Sequence, residues 1–210
     1  MTVSPIIALV DMDGTIADYD LGIQVNMDLI RSPEETGPTV FHGVKEDQPD
    51  YYRNRVKMIR NQAGWWKNLL TLPDGFQIVG MLKKLGFEIH VLTKGPKSSP
   101  NAFTEKVCWC KKHLPGVPVM LVENKGLVYG RVLVDDWPPY VEAWLKARPR
   151  GLVVMPDRPW NQGFSHSNVV RAYVNSTPGD EQEGLLANLE EVYIALKSAY
   201  DRVEGQPLTV

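Results

Sequence analysis

The chain has 210 residues, 43% of them hydrophobic and 23% charged, with 23 Lys+Arg against 25 Asp+Glu for a formal net charge of −2. At about 1.4 times a typical 150-residue domain, this length predicts one core domain with an insertion, large enough to bury a core without disulfides or structural metals. The near-neutral balance excludes a general binder of nucleic-acid polymers or membrane surfaces, and no apolar run approaches the about 18 residues of a membrane span.

The first residues, Met1-Thr2-Val3-Ser4-Pro5, carry no basic segment, and the apolar run behind them is too short for a secretory signal. That run, Ile6-Ile7-Ala8-Leu9-Val10, stops abruptly at Asp11-Met12-Asp13-Gly14-Thr15. A continuous apolar run closed by a polar Gly turn predicts a strand buried on both faces of a parallel sheet.

The next stretch, Asp18 to Pro73, contains no convincing strand. Ile23 to Ile30 is predicted helical and Ser32 to Gly43 is a Pro/Gly-rich loop. Asp47 to Arg60 is a polar, basic helix carrying Tyr51, Tyr52, Val56 and Ile59, and Trp65-Trp66 sit on a short turn before Leu69 to Pro73. The basic set Arg53, Arg55, Lys57 and Arg60 reads chiefly as a solvated helix face, with attraction of a dianionic substrate as the alternative.

Beyond Pro73 the rhythm becomes regular. Phe76, Val79, Leu82 and Leu85 form a helical stripe ended by Gly86, followed by a strand from Phe87 to Leu92. Phe103, Val107, Cys110 and Leu114 form the next stripe, ended by Pro115-Gly116. Strands are predicted at Val117 to Val122, Arg131 to Val134 and Leu152 to Met155, with a short helix at Pro138 to Lys146 presenting Tyr140, Val141 and Trp144. A final helix, Glu181 to Val203, carries Leu185, Leu189, Val192, Leu196 and Ala199 on one face. Cys108 and Cys110, spaced C-x-C, read as reduced thiols of a cytoplasmic protein rather than a disulfide or a metal pair.

Strands alternating with helices predict βαβ units with right-handed crossovers, hence an α/β fold with a doubly wound, Rossmann-like parallel sheet. On this reading residues 1–17 and 74–210 form the core domain. Residues 18–73 form a small helical cap inserted after the first strand, over the carboxyl edge where such sheets place their ligands.

Two carboxylates two residues apart at a strand end, Asp11 and Asp13, can both face that crevice, with Gly14 allowing a tight backbone turn. A second pair, Asp135-Asp136, ends another predicted strand. Close carboxylates repel when ionised, so such a set shares protons or holds a cation. Oxygen donors without thiolate or imidazole point to Mg²⁺. The histidines His42, His90, His113 and His166 lack the spacing of a metal site.

DMDGT, the strand-end Thr93 of HVLTK, Lys125 and the DD pair of LVDDW, in that order, resemble the four motifs of haloacid dehalogenase superfamily phosphotransferases. Within that superfamily the sequence is similar to the 5′(3′)-deoxyribonucleotidases, through DMDG…AD near the start, the Lys ahead of the DD pair, and Trp65-Trp66 followed by Leu72-Pro73-Asp74-Gly75. The likeness covers Ile6 to about Trp160 and is weak between Leu21 and Arg60 and after Gly163.

The resemblance implies an α/β core of the haloacid dehalogenase type and a Mg²⁺-dependent phosphomonoesterase acting on a (deoxy)ribonucleoside monophosphate through an aspartyl-phosphate. It implies Asp11 as nucleophile, Asp13 as general acid then base, and Thr93 and Lys125 as phosphate ligands. Mg²⁺ would be held by the Asp11 side chain, the Asp13 carbonyl and Asp136, with Asp135 in support. Tyr19 falls where the family has a base-contacting aromatic. Trp65 and Trp66 either stack on the base or pack the cap onto the core.

Two departures stand out. Lys94 replaces the usual Ser after Thr93 and can add a positive contact to phosphate, and Arg60 stands where an aromatic is expected. Both motivate the alternative of a sugar phosphate or another small phosphorylated metabolite as substrate. A non-catalytic binding protein of the same fold is a weaker alternative, because every motif residue is present. Asp157-Arg158-Pro159-Trp160-Asn161-Gln162 resembles a D-x-P-[YW]-N stretch of bacterial relatives and can reach the crevice rim, or is an ordinary loop. A small-molecule phosphomonoester is the expected partner, with no nucleic-acid polymer and no membrane, and a homodimer is left open.

Overall fold

The computed structural model describes residues 5–36, 48–173 and 182–203, with the side chains of 182–187 excepted. The opening residues 1–4, Asp47, the far end of the Ser32 to Gly43 loop with His42, Glu181 and the Leu185 side chain lie outside the described residues.

Six parallel strands form one sheet in the order β3-β2-β1-β4-β5-β6: β1 Ile7–Val10, β2 Glu88–Thr93, β3 Val119–Leu121, β4 Val132–Val134, β5 Leu152–Pro156 and β6 Val169–Ala172. This is the doubly wound α/β arrangement expected from the alternation of strands and helices. The strand order reverses between β1 and β4, which makes their shared carboxyl end the crevice of the sheet.

The strands are apolar on both sides because both faces are covered. Ala8 and Val10 of β1 join the cluster under α3 (Pro73–Leu85), α4 (Pro100–His113) and α6 (Gln182–Asp201). Leu9, pointing the other way, joins the smaller cluster with Val141, Trp144 and Leu145 of α5 (Pro138–Ala147).

Three expectations change in detail. β6 had no counterpart in the sequence reading: it is four residues long and carries Arg171, whose guanidinium is neutralised on Asp157 at 2.7 Å and also bonds Asn161. On α4 the buried face is Ala102, Lys106, Trp109 and Cys110, and Phe103 is exposed. The buried face turns to Trp109, whose indole donates to the Leu69 carbonyl, and to Lys106, whose ammonium is paired with Asp13 and bonds Thr93. On the basic helix, now Asp50–Arg60 (α2), Tyr51 faces solvent while Tyr52, Val56 and Ile59 are buried.

Between β1 and α3 the described residues form α1 (Tyr19–Ile30), α2 and a 3₁₀ turn, Trp66–Asn68. Asp18 starts α1 by accepting from the Leu21 N–H at 3.1 Å. The chain leaves and rejoins the core as two adjacent segments: Asp18 N–H donates to the Leu70 carbonyl at 2.8 Å, and Leu72 N–H to the Ile16 carbonyl at 2.9 Å.

At the return, Gly75 in the first turn of α3 presses against the loop after β1, and a Cβ there would stand 1.9 Å from the Thr15 carbonyl oxygen. Gly75→Ala should therefore destabilise the fold by about 1–3 kcal/mol through overpacking. A lower denaturation midpoint at unchanged slope is the expected readout; an unchanged midpoint would show that the loop yields freely.

Candidate active site

The sheet register puts the acidic motifs side by side. Val10 pairs with Val134, and the Asp11 N–H donates to the Val134 carbonyl at 2.8 Å, so Asp11 and Asp135 leave neighbouring strands at the same level. Asp136 follows, and carboxylate oxygens of Asp11, Asp135 and Asp136 lie within 4.8 Å of one another, all three residues buried. Thr93 ends β2 on the other flank of β1.

The loop after β1 is a tight turn in which the Met12 carbonyl accepts from the N–H groups of Thr15, Ile16 and Ala17. Gly14 has φ +74°, and a Cβ on it would come within 2.5 Å of Asp136 Oδ2. The glycine is thus needed for the turn and for the approach of Asp136.

Two buried lysines meet these carboxylates. Lys125 Nζ lies 2.7 Å from Asp11 Oδ1 and 2.7 Å from Asp135 Oδ2. Burial works against its charge, but the two aspartates together raise its pKa above the usual lysine value. Lys106, fully buried on α4, donates to Asp13 Oδ2, to Thr93 Oγ1 at 3.0 Å and to the Lys94 carbonyl at 2.7 Å. It therefore ties the end of β2 to the acid of the β1 loop.

Asp136 is held differently. Its Oδ1 accepts from Thr15 Oγ1 at 2.7 Å and its Oδ2 from the Trp160 indole N–H at 2.9 Å. Burial and the neighbouring Asp135 and Asp11 push its pKa up to about 8. Asp135 is pushed up to about 6, by burial against the pull of Lys125. Asp13 is also raised by burial, opposed by Lys106 and assisted by Asp11, and its Oδ1 is buried without a hydrogen-bond partner. Three converging carboxylates whose repulsion Lys125 relieves only in part, and which offer only oxygen donors, fit a hard divalent cation.

The remaining predicted site residues occupy the rim and the wall. Lys94 points toward Glu123, 3.5 Å away, and stands 5.6 Å from the Tyr140 ring centre, with Lys125 4.7 Å from the same ring. Tyr19, Trp65 and Trp66 form one aromatic cluster: Tyr19 and Trp65 are edge-on at 5.5 Å, and Trp65 and Trp66 edge-on at 4.7 Å. Both tryptophans are buried, at 8% and 2% exposure, so their faces pack on protein rather than lie open in the crevice.

The cluster is fastened to α4. Glu105 accepts from the N–H groups of Gly64 at 2.6 Å and Trp66 at 3.1 Å, and the Trp109 indole donates to the Leu69 carbonyl at 2.8 Å. Lys106 Nζ lies 4.5 Å from the centre of the Trp66 ring, a cation–π contact directly beside the acid.

Sequence reasoning brought together Asp11, Asp13, Thr93, Lys125, Asp135 and Asp136 and brought the loop of Trp160 to the crevice rim, but missed Lys106, Thr15 and Tyr140. The available signal for Lys106 was a lysine in register with Ala102, Trp109 and Cys110 on an otherwise apolar stripe.

Residues 4–176 match a family model described as 5′ nucleotidase, deoxy (Pyrimidine), cytosolic type C protein. A solved structure from Burkholderia xenovorans LB400, described as a haloacid dehalogenase-like hydrolase, is 15% identical, with 90% of this chain and 98% of that one covered and a TM-score of 0.48. No curated protein matches the sequence.

The raised pKa values make a pH-dependent prediction. From about pH 4 up to about 6 for Asp135 and about 8 for Asp136, the folded protein retains protons that the unfolded chain has released, so these groups lower stability as pH rises through that window. A bound cation replaces those protons. Added Mg²⁺ should raise the melting temperature by several degrees more at about pH 8 than at about pH 5; an equal shift at both would contradict the cluster as the binding site.

Proposed function

The chain belongs to the deoxy (pyrimidine) cytosolic type C 5′-nucleotidase family, whose members are phosphoric monoester hydrolases, and on that premise we propose a Mg²⁺-dependent hydrolysis of (deoxy)ribonucleoside monophosphates through an aspartyl-phosphate. The observation that carries the reading is the placement of Lys106 between Asp13 and Thr93, opposite Lys125 on Asp11. It sets a nucleophile, an acid and two cations around one space at the carboxyl end of β1.

Asp11 attacks phosphorus, and the bond to the leaving oxygen breaks as Asp13 protonates the departing alkoxide. Its raised pKa favours the protonated form an acid requires. Asp13 then takes a proton from the water that attacks the phosphoryl group, and Asp11 is released. Lys125, 2.7 Å from Asp11 Oδ1, bears the charge of the phosphoryl oxygens together with Lys106 and the Thr93 hydroxyl. Asp11, the Asp13 carbonyl and Asp136 would hold Mg²⁺, which would supply the remaining positive charge, while Asp135, engaged by Lys125, supports the set.

Residues 18–73 act as the cap of this core, with Tyr19, Trp65 and Trp66 as the wall on the base side and Lys94 at the phosphate rim. The cytosolic type named by the family favours a cytoplasmic enzyme. A second reading, a sugar phosphate or similar metabolite, is favoured by Arg60: its buried Nε has no hydrogen-bond partner among the described residues and offers a polar contact where an aromatic would offer none.

Phosphate release from a panel of nucleoside and sugar monophosphates with Mg²⁺ separates the two readings, and turnover of none would refute both. Asp11→Asn should abolish turnover. Asp13→Asn should lower kcat by about 10²–10⁴-fold with little change in KM; a pure KM effect would remove Asp13 from the proton-transfer role.

A further inference from the structure

We propose that Trp160, on the loop after β5, is a positioning residue for the metal centre: its indole N–H fixes the Asp136 carboxylate in the orientation that ligates the cation. The inference rests on the reading of Asp11 and Asp136 as metal ligands.

The four aspartates of the site are not held alike. Asp11 and Asp135 share Lys125, and Asp13 has Lys106. The side-chain donors to Asp136 among the described residues are neutral, the Thr15 hydroxyl on Oδ1 at 2.7 Å and the Trp160 indole on Oδ2 at 2.9 Å. The guanidinium of Arg158, on the same loop as Trp160, bonds other groups: its Nε donates to the Gly14 carbonyl at 2.8 Å, Nη1 to the Asp157 carbonyl at 2.9 Å, and Nη2 lies 2.6 Å from Asp74.

The difference has a chemical consequence. A lysine or arginine on Asp136 would neutralise it and compete with a metal ion. An indole cannot: it has one donor, no acceptor and no charge. A carboxylate has about four lone-pair directions, so one donor on each oxygen still leaves each oxygen a lone pair for a cation. Trp160 thus sets orientation while the negative charge stays available.

The loop that carries Trp160 is itself anchored to the site. Asn161 Nδ2 donates to the Asp136 carbonyl and to the Pro156 carbonyl, both at 2.9 Å, and Asn161 Oδ1 accepts from the Arg158 N–H at 3.1 Å. One short loop therefore holds both ends of Asp136, main chain and side chain, and through Arg158 also the Gly14 turn that Asp136 packs against. Orienting partners of this kind, when removed, typically cost 10–100-fold in metal affinity.

Mg²⁺ binding to the full chain, measured by titration calorimetry, tests this with Trp160→Phe, which keeps an aromatic ring and deletes the donor. A loss of about 10–100-fold in Mg²⁺ affinity, with activity recovered at high Mg²⁺, is expected. Should that variant fail to fold, β-(3-benzothienyl)alanine at position 160 removes the N–H and keeps the bicyclic shape, with the same expectation. Asp136→Asn provides the reference. If it weakens Mg²⁺ binding while the Trp160 variants bind as wild type, the positioning role is overturned and the metal site stands. If Asp136→Asn itself binds Mg²⁺ as wild type, the metal-ligand reading falls and the role of Trp160 falls with it.

Discussion

Four carboxylates crowded at the ends of two adjacent strands are the constraint around which the rest of this molecule is arranged. Parallel pairing of β1 with β4 leaves no freedom in the matter, because the register that buries Val10 against Val134 also brings Asp11 beside Asp135. Unscreened negative charge in such a place is costly, and one partner removed from a buried ion pair leaves a charge with nothing to balance it. The structure answers with two buried lysines drawn from different elements, Lys125 from the short turn before β4 and Lys106 from α4. Neither fully settles the account at Asp136, whose carboxyl stays well above the ordinary range, and that remainder is what a divalent cation can use.

The elements around the crevice then follow from who must reach it. The β1 loop turns back on the Met12 carbonyl so that Asp13 and Thr15 both face inward. The loop after β5 supplies uncharged donors to Asp136 and a guanidinium, Arg158, that bonds the Gly14 carbonyl rather than the Asp136 carboxylate. Arg158 also links the β1 loop to Asp74 at the start of α3, the point where the helical segment returns to the core. The reaction space and the connection to residues 18–73 are therefore parts of one bonded structure.

Much of this was legible in the sequence, and for a specific reason. Strands buried on both faces are written as unbroken apolar runs, so β1, β4 and β5 announce themselves, β2 shows through Val91 and Leu92 despite Glu88 and His90, and acidic residues that stop such runs stand at the crevice by topology alone. β6 is not written that way, because Arg171 interrupts it and is made tolerable by Asp157, Asn161 and the Phe164 carbonyl across the loop. Lys106 was hidden by the opposite effect. It occupies a core position, and the contact that explains it, to Asp13, spans 93 residues of sequence. Trp65 and Trp66 were recognised as important, but a pair of aromatic letters does not say whether the rings face ligand or protein, and here they pack on Tyr19 and on each other.

The fastening of the aromatic cluster to α4 has a further consequence. Glu105 grips the turn that carries Trp66, and the next residue, Lys106, grips the acid and the hydroxyl of the reaction space. Consecutive residues on a helix are separated by a rise of about 1.5 Å, a distance no side-chain substitution can change. The helix therefore acts as a ruler between the Asp13–Thr93 pair and the aromatic cluster. Shifting or rotating α4 would displace Lys106 and the turn of Trp66 together, so the two are free to vary independently only through side-chain size and polarity. A change that relaxes α4 itself would disturb both ends at once.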